Sequence, residues 1–169
     1  YPATRLAEET DFQCRSLAAE LFDMDDPAQV VFTGNATHGL NIAIKTLVKP
    51  GSRVVISGYE HNAVTRPLHG IPDVTLTVVD TPLFQPETML AEFGQALEAG
   101  ANAVICTHVS NVFGYRLPVE NIAALCRKAD VPFVLDASQS AGMLPVSMRK
   151  LGAAFIAMPG HKGLYGPQG

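Results

Sequence analysis

The sequence predicts an α/β fold, with a mostly parallel sheet and helices on both of its faces. Two observations carry this. Short β-rich runs alternate with helical patterns from end to end. Several of the runs are apolar throughout, as expected of strands buried on both faces rather than one. The 169 residues are 47% hydrophobic and 17% charged, enough for one domain with its own core.

The elements follow in order. A helix is expected across roughly Thr4–Phe22, where Leu17, Leu21 and Phe22 recur at helical spacing. Val30–Gly34 reads as the first strand. Thr37–Val48 reads as a helix with Leu40, Ile44 and Leu47 on one face. The runs Arg53–Gly58 and Val74–Asp80 are strands, flanked by turns at Pro50-Gly51 and Ile71-Pro72-Asp73. Pro86–Ala99 is a helix with Leu90, Phe93 and Leu97 together. Ala103–His108 is a strand. Pro118–Ala129 opens on a proline, which favours a first helical turn, and aligns Ile122, Leu125 and Cys126. Phe133–Asp136 is a strand, and Ala153–Ala157 a weaker sixth.

Composition narrows the function classes. A net charge of -4 gives no reason to expect nucleic acid or an anionic membrane as partner. No apolar run reaches the length of a membrane span, and the start shows no signal-peptide pattern. Cys14, Cys106 and Cys126 are scattered and odd in number, which points away from a disulfide framework and toward a reducing, cytoplasmic setting. Cys106 and Cys126 read as packing residues. No cluster suggests a metal. The chain starts without methionine and stops in a glycine-rich turn, so it is expected to be a fragment of a longer protein.

In open parallel sheets, ligands bind beyond the carboxyl ends of the strands. The polar residues at those ends are Asn35-Ala36-Thr37, Glu60-His61-Asn62, Ser110-Asn111, Asp136 with Gln139, and His161-Lys162. The first group opens a helix, where free amides suit a phosphate; taken alone, an ordinary N-cap by Thr37 or Asn35 is the simpler account. His61 can stack on a flat ring and shuttle protons, or cap a helix. Asn111 can donate to a ligand oxygen or hold a turn. Asp136 ends the apolar run from Val131 to Leu135, where an unpaired charge is costly, so it calls for a cationic partner or caps the next helix. Lys162, in Gly160-His161-Lys162-Gly163, offers an amine at a sharp turn, and a lowered amine pKa makes such a group a nucleophile toward aldehydes. A phosphate site, a stacking imidazole, an anion for a ring nitrogen, amides for a ring oxygen and an amine for an aldehyde together describe pyridoxal 5'-phosphate.

The runs "VVFTGNATHGLN", "SGYEHNAV", "THVSNVFGYRLPVENIAALCR", "PFVLDASQSAG" and "GHKGLYGPQG" resemble the class V aminotransferase superfamily, most of all its cysteine desulfurase and selenocysteine lyase branch. The likeness extends from about Val30 to the end. It implies the large, cofactor-binding domain of a fold-type I pyridoxal-phosphate transferase across residues 1–169, with the family's C-terminal small domain outside this chain. It implies a homodimer acting on a small amino acid, with a sulfur-acceptor protein as a further partner. It implies that Lys162 holds the cofactor as a Schiff base and that His61 stacks on its ring and assists proton transfer. Ala36, Thr37 and His161 would contact the phosphate, Asn111 and Gln139 the ring's phenolic oxygen, and Asp136 its nitrogen. Two positions depart from the family pattern: Pro159 stands where a phosphate-binding serine is common, and His38 where an acidic residue is common. The family's persulfide-forming cysteine and carboxylate-binding arginine lie beyond the lysine, and none of the three cysteines matches that nucleophile. The implied activity is removal of sulfur or selenium from cysteine or selenocysteine to leave alanine. A transaminase or other β-lyase on the same scaffold, and a non-catalytic module of this fold, are the alternatives.

Overall fold

The computed structural model describes residues 1–167. Helix α1 (Pro2–Leu21) leads into a short 3-10 turn (Pro27–Gln29) and then α2 (Ala36–Leu47). Strand β1 (Arg53–Ser57), α3 (Asn62–His69), β2 (Thr75–Val79), α4 (Pro86–Glu98), β3 (Ala103–Thr107), α5 (Val119–Lys128), β4 (Phe133–Asp136), α6 (Met148–Leu151) and β5 (Phe155–Ala157) follow. The five strands form one sheet in the order β2-β1-β3-β4-β5, and every pairing is parallel.

The apolar strands explain the layering. In β1, Val55 faces one core while Val54 and Ile56 face the other. In β3, Val104 and Cys106 join the first core, and Ala103 and Ile105 the second. Alternate side chains of a strand point to opposite faces, so the two clusters lie on opposite sides of the sheet. Phe93 of α4 and Ile122 of α5 fill the first cluster; Leu40 and Ile44 of α2 and Val64 and Leu68 of α3 fill the second. The expected α/β architecture with helices on both faces is therefore the observed one. The helices after β1 and β3, adjacent strands, pack on opposite faces. The chain connections thus diverge between these two strands, which opens a crevice at their carboxyl ends.

Three expectations need correction. Val30–Gly34 is not a strand: among the described residues no strand runs beside it, and Val31 and Phe32 are exposed. Its β-branched composition favours extended backbone, but a strand exists only against a partner. Here Arg15 of α1 donates to the Val30 carbonyl and lies over the Phe32 ring at 4.8 Å. The weak sixth strand is real but short, beginning at Phe155. The segment Asn62–His69, to which the sequence assigns no element, is a helix in spite of Pro67, because Ala63, Val64 and Leu68 bury one side of it. Cys106 and Cys126 are buried core residues as expected, and Cys14 is exposed on α1. No described helix is long and apolar enough to cross a membrane.

Candidate active site

The crevice at the carboxyl edge of the sheet is lined by Asn35, Ala36, Thr37, His61, Thr107, Asn111, Asp136, Ser138, Gln139, Pro159, His161 and Lys162, among others. Its volume is about 680 Å³ with the open solvent at its mouth included. All eight residues singled out from the sequence lie on this one surface. They come from loops after β1, β3, β4 and β5 and from the start of α2, so distant segments meet only because the strands are parallel.

At α2 the cap is Asn35, whose side-chain oxygen accepts from the His38 amide at 2.8 Å. Thr33 donates its hydroxyl to the Asn35 carbonyl at 2.8 Å and steadies the approach. With Asn35 doing the capping, the amides of Ala36 and Thr37 open the helix, where no carbonyl of the preceding turn exists to receive them. They face the crevice at the positive end of a 12-residue helix, a suitable seat for an anion.

His61 caps α3 as well as lining the crevice: its Nδ1 accepts from the Ala63 amide at 3.1 Å. The bond assigns the neutral ring the tautomer with its proton on Nε2. Asn111 sits in a tight loop held by its neighbours. The Ser110 hydroxyl accepts from the amides of Val112 and Phe113, each at 3.3 Å, and Gly114, with a positive φ of 63°, donates to the Ser110 carbonyl at 2.9 Å. Ser110 thus holds the turn. Among the described residues no hydrogen bond engages the Asn111 amide.

Asp136 is only 3% exposed, at the end of β4. Its Oδ1 accepts from the Ser138 amide at 2.9 Å. Among the described residues no ion pair or hydrogen bond engages Oδ2. No helix follows at once; the chain instead makes tight turns through Ser140 and Leu144. Gln139, exposed in those turns, stands on the same lip.

Lys162 is exposed on the sharp turn beyond β5, four residues, Met158 to His161, separating it from the strand. The turn is closed by two backbone bonds, Tyr165 to Lys162 at 3.0 Å and Gly166 to Gly160 at 2.7 Å. Two glycines press it against the Asp136 loop. A Cβ on Gly163 would collide with the Ala141 carbonyl, and one on Gly142, at φ 81°, with the Gly163 carbonyl. This contact brings the turn that carries Lys162 to the crevice that Asp136 also lines. Gln168 and Gly169, the last residues of the lysine motif, lie outside the described residues.

Three residues at the crevice were missed or left without a role. Thr107 and Ser138 line it, and Glu60 lies directly behind it. The Glu60 carboxylate accepts from the Ser57 hydroxyl and, at 2.8 Å, from the Thr107 amide; Oε2 is enclosed without a partner. Burial is the main cause that pushes its pKa up to about 8, with the nearby Asp136 charge adding to it. The only sequence signal was its place just after a strand, beside His61.

A buried aspartate with one free oxygen, two open helix amides, an imidazole, two amide side chains and an exposed lysine form a donor and acceptor set that fits pyridoxal 5'-phosphate. Pro159, which has neither hydroxyl nor amide hydrogen, adds nothing to it.

The family model described as Aminotransferase class-V matches residues 3–169. The cysteine desulfurase IscS of Shewanella denitrificans is 33% identical over 171 residues, covering 96% of this chain and 41% of the relative. The chain thus spans about two-fifths of the length of that relative. Among solved structures, the apo cysteine desulfurase of Thermococcus onnurineus NA1 superposes with a TM-score of 0.88 at 28% identity, covering 98% of this chain and 42% of that one. A C-DES mutant with glycine covalently linked to the PLP cofactor gives a TM-score of 0.85 at 25% identity, covering all of this chain and 46% of that one.

Proposed function

Since the chain belongs to the class V aminotransferase family, we propose that it is the cofactor-binding part of a cysteine desulfurase-like enzyme dependent on pyridoxal 5'-phosphate. The full protein acts as a homodimer on L-cysteine or selenocysteine, leaving alanine. The observation that carries this reading is Asp136, a buried carboxyl group with one unengaged oxygen, lining the same crevice as an exposed lysine. Similarity to named cysteine desulfurases supports the substrate class.

The roles follow from the chemistry of each group. The amides of Ala36 and Thr37 bind the phosphate at the α2 terminus, with His161 beside them. His61 would stack on the ring and assist proton transfer, its Nδ1 tethered to α3. Asn111 and Gln139 donate to the phenolic oxygen. Asp136 holds a proton on the ring nitrogen, and its burial makes that charge pairing stronger than it would be in water. The bound cofactor supplies an electron sink for the pair left when a substrate α-proton departs. Lys162 would hold the cofactor through its aldehyde and would stand ready to move the substrate α-proton. Cys14, Cys106 and Cys126 are not among the crevice-lining residues. Burial pushes the Cys106 thiol well up and that of Cys126 up to about 12, so neither is a thiolate near neutral pH. The thiol that receives sulfur therefore comes from elsewhere in the enzyme or from a partner.

The test is borohydride reduction of the full-length protein loaded with pyridoxal 5'-phosphate, followed by peptide mapping and product analysis with L-cysteine. Label on Lys162, with alanine and enzyme-bound sulfur as products, is expected. Label on Lys128 or Lys150 would remove the lysine assignment; pyruvate with ammonia, or a keto acid, would replace desulfuration by β-lyase or aminotransferase chemistry.

A further inference from the structure

Glu60 belongs to the crevice without lining it, and the sheet shows why it matters. Strands β1 and β3 pair as Val54 with Ala103, Val55 with Val104 and Ile56 with Ile105, and there the ladder stops. On its outer side β1 continues one step further, pairing Ser57 with Val79 of β2. On the far side of β3, the His108 amide still donates to the Asp136 carbonyl of β4 at 2.9 Å. Strand amides alternate between neighbours, so the Thr107 amide points toward β1. The acceptor it finds is the Glu60 side chain, 47 positions away in sequence. The same oxygen holds the Ser57 hydroxyl, which in turn accepts from the Tyr59 amide at 3.2 Å.

We propose that Glu60 is a positioning residue of this site: its carboxyl group takes the place of the β1 backbone as partner of the Thr107 amide, so that β1 and β3 part at their carboxyl ends and hold His61 on one lip and Asn111 on the other. The wedge sits at the point where the chain connections diverge to opposite faces. Without it the Thr107 amide is left unpaired at the floor of the crevice, or the strands close and narrow the opening. The order of the crevice is a matter of this chain alone; that the order serves pyridoxal 5'-phosphate rests on the function proposed above.

The wedge works as the neutral acid. Both hydrogen bonds go to Oε1, leaving the enclosed Oε2 to carry the proton. Among the described residues, the titratable groups acting on it are Asp136 on β4 and Cys106 on β3. Cys106 stays protonated because it is buried.

The experiment uses the full-length protein and compares Glu60→Gln, a neutral group of the same shape, with Glu60→Ala. Thermal unfolding of the cofactor-free protein reads the protonation state. An unfolded glutamate ionises near ~4.3, and folded Glu60 near about 8. Between those values unfolding releases a proton, so Glu60 makes wild-type stability fall as pH rises through this window. Glu60→Gln lacks that slope, while Asp136 and Cys106 act in both proteins and cancel in the difference. The midpoint gap should therefore open in favour of the glutamine protein from pH 5 to pH 8; parallel curves would overturn the neutral acid. Fluorescence titration with pyridoxal 5'-phosphate reads the positioning. Glu60→Ala is expected to bind about tenfold or more weakly, because a buried amide loses its acceptor, and Glu60→Gln to recover most of that loss. Wild-type affinity in the alanine protein would overturn the proposal. If the alanine protein does not fold, Glu60→Asp, shorter by one methylene, takes its place with the same expectation. Failure of wild type itself to bind the cofactor would remove the proposed function, while the unfolding curves would still decide the state of Glu60.

Discussion

His61 holds one ring nitrogen against its own helix and also lines the crevice, and substitutions separate the two duties. Asparagine at this position keeps a side-chain acceptor for the Ala63 amide but removes the ring; alanine removes both. His61→Ala is expected to lose ~0.5–2 kcal/mol of stability relative to His61→Asn, read from denaturant unfolding of the cofactor-free protein. Both variants of the full-length enzyme should slow the proton-transfer steps by ~10²–10⁴-fold and alter the cofactor absorbance. A wild-type rate in His61→Asn would leave His61 as a cap alone. The sequence offered stacking and capping as alternatives for this residue. The structure shows the cap, and a capping imidazole still has a face and an Nε2 proton to offer. For Asn35 and Thr37 the sequence left the cap undecided, because either side chain can reach an amide of the first turn; the backbone entering α2 gives it to Asn35.

Two turns, 141–143 and 160–166, are mutually fitted, and their glycines show how closely. Gly163→Ala places a methyl group against the Ala141 carbonyl, with the Met143 side chain also in the way at 2.8 Å. Backbone cannot yield there as a flexible side chain can. The expected result is a stability loss of ~1–3 kcal/mol by thermal unfolding, with slower cofactor uptake, since the turn that carries Lys162 is pushed away from Asp136. Gly94 of α4 is the contrast: a methyl group there meets open space, so Gly94→Ala should stabilise by ~0.5–1 kcal/mol. A Gly163→Ala protein as stable and as quick to load as wild type would show that the turns have slack. Most elements were legible at this scale. The helix expected at Pro86–Ala99 runs Pro86–Glu98, and that expected at Pro118–Ala129 runs Val119–Lys128, because apolar spacing and an opening proline are local signals. Val30–Gly34 was misread because its composition cannot say whether a partner strand lies alongside. Asn62–His69 was overlooked because Pro67 masks a short amphipathic helix.

The whole molecule has two cores, one on each face of a parallel sheet, and a reactive edge assembled from four loops and a helix terminus. No cysteine lines that edge: two are buried and the third stands on α1. The isolated 169-residue chain is therefore expected not to release sulfide from L-cysteine when supplied with pyridoxal 5'-phosphate and reductant, whereas the full-length protein, on the function proposed above, is expected to. Release by the chain alone, abolished in Lys162→Ala, would force one of Cys14, Cys106 or Cys126 into the role of sulfur acceptor. By itself the sequence determined the alternation of strands and helices, the apolar runs that demand burial on both faces, and which polar residues follow each strand. Those are properties of neighbours along the chain. Only the tertiary structure decided that the strand ends converge on one crevice, that Val30–Gly34 stays unpaired among the described residues, and that Glu60 reaches across to Thr107. Each of these depends on which distant segments lie side by side, and periodicity along a chain carries no record of that.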